Sequence, residues 1–246
     1  MLSGRPDYDP IAQFYRRHWC SHYHDGLVGM IERFLLSQLE PRSHILDVCC
    51  GSGVIAHELS KRGFTVTGID GSEAMVRFAS ERAPGGQFVI GDARAFQFPA
   101  VFHGAVCTFD SLSYMLDQED LIRVFRCVWN ALRPEGRFVF DLSLEETYKT
   151  EWNQSCTIVE EDEACFLRGC YDERARIGRT FITVFSKNGG WSRKDVEFVT
   201  RCWSADEVLA GLADAGFGGQ FCHPSNSDDA LRSGLGPGRA CFVATK

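Results

Sequence analysis

Short apolar runs alternate with amphipathic helical patterns from about residue 44 onward. The runs HILDVC, FTVTGID and QFVIGD have the length of buried strands, whereas VIAHELSKRG and SEAMVRFASERA repeat their apolar residues at helical spacing. Strand, helix, strand, helix, strand in this order predicts a parallel sheet with right-handed crossover connections. The pattern therefore predicts an α/β domain of the doubly wound kind.

The same alternation continues for two more strands and returns near the C-terminus. We interpret GAVCTFD as a fourth strand, DQEDLIRVFRCVWNALR as a long amphipathic helix and GRFVFDLS as a fifth strand. SADEVLAGLADAGF predicts a helix with Ser204 as its N-cap and Gly216 as its stop. GRACFVATK predicts the last strand.

Two segments depart from this alternation. Residues 143–203 contain the runs CTIVEE, ACFLRGCY, TFITVFS and VEFVTRCW, separated by polar turns such as Asn188-Gly189-Gly190, and predict an antiparallel lid inserted after the fifth strand. The acidic run Glu160–Glu163 within it predicts a solvated hairpin tip. Residues 1–40 predict a helical cap that packs outside the sheet or over its mouth. Residues 1–246 are thus expected to form a single domain.

Composition limits the partners that the chain can have. With 44% hydrophobic and 24% charged residues, the 246 residues can bury one sizeable core. A formal charge of −7 gives no overall attraction to nucleic acid or to anionic membranes, and no apolar stretch has membrane-spanning length. The first ten residues lack the pattern of a signal peptide, and the cysteine count is odd. We expect a cytoplasmic protein with reduced thiols and a small-molecule partner, and no oligomeric state is predicted.

The strand ends carry the candidate chemistry. The first strand runs into Asp47-Val48-Cys49-Cys50-Gly51-Ser52-Gly53, where glycines permit a sharp turn and the following helix offers unpaired N–H groups to a polar ligand. Asp70 ends the second strand, about 20 residues further on, and can accept hydrogen bonds from ribose hydroxyls. GSGVIA and Asp70 also fit a nicotinamide dinucleotide. Gly91-Asp92-Ala93-Arg94, which can bind an adenine edge, and Phe109-Asp110 at the fourth strand favour a different nucleoside.

In order and spacing, these motifs resemble the class I S-adenosylmethionine-dependent methyltransferases of the small-molecule type. The resemblance rests on ILDVCCGSG, GID, GDAR, FDSL, LRPEG and the closing AGF and GRACFVATK, and it covers residues 40–142 well and 197–246 moderately. It implies a doubly wound, mostly parallel seven-stranded sheet of the Rossmann-like methyltransferase fold. Where the family usually has a glycine or another small residue, this chain has Cys49.

The resemblance also implies the residues that bind the cofactor, S-adenosylmethionine, and its product S-adenosylhomocysteine. Asp47, Gly51 and Gly53 would surround the methionine part, Asp70 the ribose, and Asp92 and Ala93 the adenine. Met75 would pack on the nucleoside, Phe109-Asp110 would face the sulfonium, and Tyr15 would fold over the cofactor. The full expected set is Tyr15, Asp47, Cys49, Gly51, Ser52, Gly53, Asp70, Gly71, Met75, Asp92, Ala93, Phe109 and Asp110.

The acceptor side is less defined by the sequence. Candidates to line an acceptor pocket come from the N-terminal helix, the end of the fourth strand and the end of the lid: His18, Trp19, His22, Tyr114, Arg201 and Trp203. His18, His22 and His24 have some of the spacing of a zinc site, but they lack a matching carboxylate or cysteine pair, so no metal is predicted. No catalytic residue is assigned.

We expect transfer of a methyl group to nitrogen or oxygen of a small molecule by in-line displacement. Such a reaction needs positioning of the acceptor and exclusion of water, and a general base only when the acceptor must lose a proton. A nicotinamide-dependent oxidoreductase and a nucleoside-binding protein without turnover remain as alternatives.

Overall fold

The structure is a computed structural model, and it describes residues 6–20, 24–224 and 238–246. Its helices are α1 (Ala12–His18), α2 (His24–Phe34), α3 (Val54–Lys61), α4 (Glu73–Arg82), α5 (Gln118–Ala131), α6 (Glu145–Thr150) and α7 (Ala205–Asp214). Its strands are β1 (His44–Val48), β2 (Thr65–Asp70), β3 (Gln87–Ile90), β4 (Phe102–Cys107), β5 (Leu132–Ser143), β6 (Ser155–Val159), β7 (Glu163–Asp172), β8 (Ile177–Lys187), β9 (Trp191–Arg201), β10 (Gly218–Pro224) and β11 (Arg239–Thr245).

Seven strands form one central sheet in the order β10-β11-β5-β4-β1-β2-β3. The pairs β5-β4, β4-β1, β1-β2 and β2-β3 are parallel. Strand β11 runs antiparallel to both of its neighbours, β10 and β5. The chain changes direction across the sheet between β1 and β4, so the carboxyl ends of these strands open onto a crevice where ligands of such sheets bind. The predicted doubly wound, mostly parallel sheet is confirmed.

Both faces of the sheet are buried under helices. On one face, Leu46 of β1 packs in a cluster with Val124 of α5 and Leu212 of α7. On the other face, Ile45 packs in a cluster with Leu27 of α2 and Ile55 of α3. Neighbouring side chains of a strand point to opposite faces, so a strand that is covered on both sides needs an uninterrupted apolar run. This requirement explains why the core strands could be recognised in the sequence.

A separate four-stranded antiparallel sheet follows β5, in the order β6-β7-β8-β9. The turn predicted at 188–190 joins β8 to β9, and Gly189 has the positive φ, 73°, that such a tight connection favours. The antiparallel insertion is therefore confirmed, and we call these four strands the lid sheet. One helix, α6, precedes the lid sheet and was not predicted, because its sequence EETYKT has no apolar periodicity.

The N-terminal segment divides between two neighbours. Ile11, directly before α1, and Phe14, within α1, pack in a cluster with Ile182 and Phe198 of the lid sheet. In contrast, α2 packs on the central sheet. The N-terminal segment thus contacts the lid sheet through its first helix and the central sheet through its second. In the part of the chain that the structure describes, none of the helices combines the length and the apolar character that crossing a bilayer requires.

Candidate active site

The loop between β1 and α3 has the backbone of a ligand-binding turn. Cys49, Gly51 and Gly53 all have positive φ, at 57°, 51° and 76°. A Cβ on Gly51 would meet no atom within 4 Å, whereas one on Gly53 would lie 2.7 Å from Cα of Ala79 in α4. Gly53 therefore permits close packing against α4, and Gly51 keeps the cavity side of the loop open. Cys49, which departs from the family pattern, takes the same left-handed backbone.

Asp70 fixes this loop to the neighbouring strand end. Its Oδ2 accepts a hydrogen bond from the Gly51 amide at 2.8 Å, and its Oδ1 accepts one from the Ser72 amide at 2.9 Å. Ser72 in turn caps α4 by accepting a hydrogen bond from the Met75 amide. The Asp70 carboxylate is thereby held on the cavity wall.

Asp92 at the end of β3 has a close partner that the sequence analysis did not foresee. Arg94 donates to both Asp92 oxygens, at 2.9 Å and 2.6 Å, and also to Asp120 at 2.6 Å. These contacts raise the pKa of the Arg94 guanidinium. Arg94 therefore orients Asp92 at the cavity wall, beside Ala93.

The strand ends and the N-terminal segment enclose one cavity, which we call the nucleoside cavity. Most of the residues expected to bind the cofactor line it: Tyr15, Cys49, Gly51, Ser52, Asp70, Gly71, Met75, Asp92, Ala93 and Phe109. Gly53 does not line it and serves packing instead. Asp110 lines a second cavity, described below, and not the nucleoside cavity, so its place beside the cofactor stays a prediction.

Asp47 is also absent from the wall of the nucleoside cavity, contrary to expectation. Its side chain is 1% exposed beneath the loop, and neither carboxylate oxygen has a hydrogen-bond partner among the residues that the structure describes. Burial, with a contribution from Asp70, raises the pKa of Asp47 to about 8. At neutral pH this carboxyl group is therefore protonated in most molecules.

A second cavity lies between the carboxyl edge of the sheet and the lid sheet, and we call it the acceptor cavity. Two expected acceptor residues, Trp19 and Tyr114, line it together with Asp110, α6 and the lid sheet. The two cavities share four aromatic residues, Tyr8, Tyr15, Phe109 and Tyr114. The aromatic junction formed by these four residues is where a group bound in one cavity meets a group bound in the other.

Tyr8 is a member of the aromatic junction that the sequence analysis missed. Its hydroxyl lies 2.6 Å from the hydroxyl of Tyr114, and its ring stacks on Phe198 of the lid sheet at a centroid distance of 4.5 Å. Burial raises the pKa of both tyrosines, so both hydroxyls stay protonated. Asp9 accepts a hydrogen bond from the Ala74 amide at 3.1 Å and so fixes the segment to α4. Tyr8 precedes the first helix, where helical spacing gives no signal.

A buried polar cluster closes the other side of the acceptor cavity. Oδ1 of Asp110 accepts a hydrogen bond from the Ser143 amide at 2.7 Å, and the Asp110 amide donates to Oδ2 of Asp141 at 3.3 Å. Arg239 donates to the same Asp141 oxygen. Burial raises the pKa of Asp110 to about 7, although the Arg239 charge opposes the shift. Asp141 and Arg239 face each other only because β5 and β11 pair, a contact that the sequence does not reveal.

Three other expected acceptor residues lie elsewhere. Nε2 of His18 lies 2.6 Å from a Glu163 oxygen in the lid sheet. Arg201 lies over the ring of Trp203 at 4.1 Å and pairs with Glu207 in α7. Trp203 is buried and donates to the Met115 carbonyl. These side chains join elements around the cavities and do not line them, and His22 lies outside the described residues.

His18 also has two carboxylates nearby, those of Glu160 and Glu163, which bring three potential metal ligands together. Arg17 donates to the same Glu163 oxygen at 2.5 Å. A guanidinium on the shared oxygen competes with a cation, so we interpret this group as an ion-pair cluster.

The nucleoside cavity fits a nucleoside that carries a charged amino-acid tail. The open left-handed loop at Gly51 leaves space for the tail at the start of α3, where a helix N-terminus favours a negative charge. The buried Oγ of Ser52 has no partner among the described residues. Asp70 offers acceptors for ribose hydroxyls, and Met75 and Ala93 supply apolar surface. The residues present therefore fit S-adenosylmethionine.

Known proteins agree with this interpretation. Residues 45–136 match the family model of the methyltransferase domain. The putative methyltransferase YqeM of Bacillus subtilis (strain 168) is 37% identical over 114 residues, 45% of this chain and 46% of that protein. The dTDP-3-amino-3,4,6-trideoxy-alpha-D-glucopyranose N,N-dimethyltransferase of Streptomyces venezuelae is 29% identical over 204 residues, 81% of this chain and 85% of that protein. An S-adenosylmethionine-dependent methyltransferase structure from Clostridium acetobutylicum ATCC 824 superposes with a TM-score of 0.78 at 19% identity, covering 97% of this chain and 98% of that one.

Residues 45–136 are thus a methyltransferase domain, and they include the β1, β2, β3 and β4 ends that form the nucleoside cavity. In its domain match and in its fold the chain is similar to the class I S-adenosylmethionine-dependent methyltransferases, and this similarity indicates S-adenosylmethionine as the cofactor. It favours this cofactor over the nicotinamide alternative. The match with YqeM spans about half of that relative's length, so the acceptor and the reaction of the whole protein are matters of proposal.

Proposed function

We propose that this enzyme transfers a methyl group from S-adenosylmethionine to an amino group of a small molecule, with amino sugars as the first class to test. The observation that carries the proposal is the aromatic junction, where the nucleoside cavity and a separate acceptor cavity meet. A second cavity at this place, lined by the sheet edge and the lid sheet, has the size of a site for a second small molecule. The name of the relative from Streptomyces venezuelae describes an N,N-dimethyltransferase that acts on an amino sugar.

The residues around the nucleoside cavity would bind and orient the cofactor. Asp70 would accept hydrogen bonds from the ribose hydroxyls, Asp92 and Ala93 would contact the adenine, and the loop at Gly51 would hold the methionine part. Once bound, the cofactor supplies an electrophilic methyl group on its sulfonium. The positions of the carboxylates are set in advance by the Gly51 amide and by Arg94, which reduces the cost of ordering them on binding.

The aromatic junction and the lid sheet would align the acceptor and exclude water. Displacement at a methyl group needs the attacking atom in line with the bond that breaks, at about 3 to 3.5 Å. Tyr8 and Tyr114 are held by their mutual hydrogen bond and by the stacking of Tyr8 on Phe198. Their rings would narrow the passage so that the acceptor nitrogen approaches the methyl group from one direction.

The polarity of the acceptor cavity supports an amine over an aromatic hydroxyl. Asp110 and the more exposed Glu151 contribute carboxylates to a wall that also carries Trp19 and Phe198. The wall's cation, Arg239, is paired with Asp141. Carboxylates and aromatic ring faces both attract a cation. This combination supports nitrogen over oxygen as the acceptor atom.

Calorimetric titration with S-adenosylmethionine, S-adenosylhomocysteine and NADH tests the cofactor half of the proposal. We expect micromolar binding of the two sulfur nucleosides, a loss of about tenfold or more in affinity in Asp70→Ala and in Asp92→Ala, and no change in the control Asp214→Ala, which alters an exposed residue at the end of α7. Unchanged affinity in both cavity variants would contradict the assignment.

Incubation with methyl-labelled cofactor and dTDP-activated 3-amino and 4-amino deoxysugars tests the acceptor half. Transfer of label to the sugar nitrogen, identified by mass spectrometry and NMR, is the expected result, with the corresponding hydroxy sugars as controls. Label on the hydroxy sugars alone would favour an oxygen acceptor. Cofactor binding without transfer to any acceptor of either series would favour the nucleoside-binding alternative.

A further inference from the structure

Two carboxylates line the acceptor cavity, those of Asp110 and Glu151, and Asp110 is the one at the carboxyl edge of the central sheet. Asp110 lies at the end of β4 and is 9% exposed, and it lines the acceptor cavity but not the nucleoside cavity. Phe109, directly before it, belongs to the aromatic junction. Asp110 therefore stands beside the passage through which the methyl group must travel.

The backbone around Asp110 is arranged in an unusual way that presents this side chain to the cavity. Phe109 and Asp110 both have left-handed backbones, with φ of 63° and 59°. Non-glycine residues adopt this conformation at a cost of about 1 to 2 kcal/mol, so two in succession must be held by their surroundings. The hydrogen bonds from the Ser143 amide to Oδ1 and from the Asp110 amide to Asp141 supply that restraint.

We propose that Asp110 takes the proton from the acceptor amine, so that the acceptor enters as an ammonium ion and reacts as the neutral amine. This inference rests on the proposed function. It adds that the methyl acceptor binds as a cationic amine and that Asp110 accepts the proton of this amine.

The proton balance of the step is complete with groups already named. The ammonium, R–NH3+, gives one proton to the Asp110 carboxylate and becomes R–NH2. The nitrogen lone pair then forms the N–C bond while the C–S bond breaks, with its electron pair going to sulfur. The product leaves as the methylammonium ion, R–NH2–CH3+, and Asp110 releases its proton to water. No other reactant is required.

The groups that face Asp110 set its proton affinity. Burial is the largest cause of the rise in the pKa of Asp110. Arg239 of β11 and the backbone and side-chain hydrogen bonds of Ser143 in β5 lower this pKa, and Asp141 of β5 raises it. The buried hydroxyls of Tyr8, Tyr114 and Tyr148 feel the Asp110 charge, and their own pKa values are raised chiefly by burial, so they remain neutral. A carboxylate that titrates near pH 7 is suited to accept a proton at that pH.

Asp110→Asn is the variant that tests the role most directly. Asparagine tolerates a left-handed backbone and keeps an oxygen for the Ser143 amide, so the change removes the proton acceptor and retains this backbone restraint. Asp214→Asn is the matched control, because it removes an exposed carboxylate far from both cavities. Calorimetry with S-adenosylmethionine should give the same affinity for the wild type and both variants within about twofold.

The rate of methyl transfer to a dTDP-activated amino sugar, measured from pH 5.5 to 9.5, gives the decisive comparison. In the wild type kcat should rise with pH through about 7, the value to which the pKa of Asp110 is raised, because the carboxylate form is needed. In Asp110→Asn we expect kcat at pH 7 to fall by about 10² to 10³, with partial recovery toward pH 9.5, where solvent deprotonates the amine. Asp214→Asn should follow the wild type.

A role in binding alone would give a different pattern. An increased KM with unchanged kcat and an unchanged pH profile in Asp110→Asn would overturn the inference and leave the proposed function standing. Failure of the wild type to methylate any amino sugar would overturn the proposed function and the inference with it. Carboxyl 13C NMR of the wild type, with the Asp110 signal assigned by its loss in Asp110→Asn, provides a readout without turnover, and titration below pH 5 would also overturn the inference.

Discussion

The two aspartates at the ends of β1 and β2 differ in what their carboxyl groups contact. Asp70 accepts two backbone hydrogen bonds, whereas both oxygens of Asp47 are buried and unpartnered among the described residues. Because burial raises the pKa of Asp47 in the folded state to about 8, the folded protein binds this proton more tightly than the unfolded chain does. The contribution to stability is therefore complete below the unfolded pKa near 4 and is lost as pH rises toward 8.

Asp47→Asn should consequently stabilise the protein without ligand at pH 8 and have little effect at pH 4. The gain at pH 8 is on the order of 5 kcal/mol, since the buried group can no longer ionise. Urea unfolding of the wild type and the variant between pH 4 and 9 measures it, with Asp214→Asn as an exposed control. A difference between Asp47→Asn and the wild type that does not grow with pH would refute this account.

Two glycines with the same backbone conformation separate the cost of a left-handed φ from the cost of crowding. Gly53 has φ of 76° and Gly63 has φ of 86°, but a Cβ at Gly53 would lie 2.7 Å from Cα of Ala79, whereas one at Gly63 would meet nothing within 4 Å. We expect Gly63→Ala to cost about 1 to 2 kcal/mol and Gly53→Ala about 3 kcal/mol or more. Urea unfolding measures both, and equal losses would show that crowding against α4 is not the reason for Gly53.

At the scale of elements, the helices and strands with regular apolar spacing could be predicted from the sequence. The features that form only by contact between distant segments could not. The core strands and α5 bury apolar residues at regular spacing, and α7 has its capping residues at Ser204 and Glu207, so each carries its own signal. The helix α6 has no such spacing, and Tyr8 precedes any helix. The cofactor side of the site was largely readable because it lies on short turns directly after strands. The acceptor side was not, because it forms only where the lid sheet meets the core.

The packing of the lid sheet on the segment after α6 depends on a glycine in β7. A Cβ on Gly169 would lie 1.9 Å from the carbonyl oxygen of Trp152, whose ring stacks on Tyr148 at 4.2 Å. Both Gly169 and Trp152 line the acceptor cavity. Gly169→Ala should therefore displace this wall, raising KM for the acceptor by about tenfold or more, with the affinity for S-adenosylmethionine unchanged.

Steady-state kinetics with an amino sugar and calorimetry with the cofactor separate these two effects. The control is Gly190→Ala in the turn between β8 and β9, where a Cβ would meet nothing within 4 Å and the change should cost less than about 0.5 kcal/mol. A loss of cofactor affinity in Gly169→Ala that equals the loss of acceptor affinity would mean that the lid sheet does not act on the acceptor cavity alone.

At the scale of the whole molecule, one ion-pair cluster joins the N-terminal cap to the lid sheet. Glu163 at the start of β7 is buried, and the same oxygen of its carboxylate contacts Arg17 at 2.5 Å and His18 at 2.6 Å, both in α1. These partners lower the pKa of Glu163 against the opposing effect of burial. Glu163 was expected to be part of a solvated hairpin tip, and the structure corrects this for Glu163, whereas Glu160 and Glu161 are exposed.

Glu163→Gln should loosen α1 from the lid sheet, because the charge that both partners need is removed while the shape is kept. The expected cost is about 1 to 2 kcal/mol, since Arg17 is half exposed and water screens its share. Hydrogen exchange measured by mass spectrometry should then become about tenfold faster in residues 12–18 and stay unchanged in β1 and β2.

The lowered pKa of Glu163 means that the wild type should acquire the same faster exchange as pH falls below the usual glutamate range, while Glu163→Gln shows no such change. Glu161→Gln, at the exposed tip of the same hairpin, is the control. If both variants exchange alike, the cluster does not hold the cap, and closure over the acceptor cavity must depend on the apolar contacts of Ile11 and Phe14 with the lid sheet.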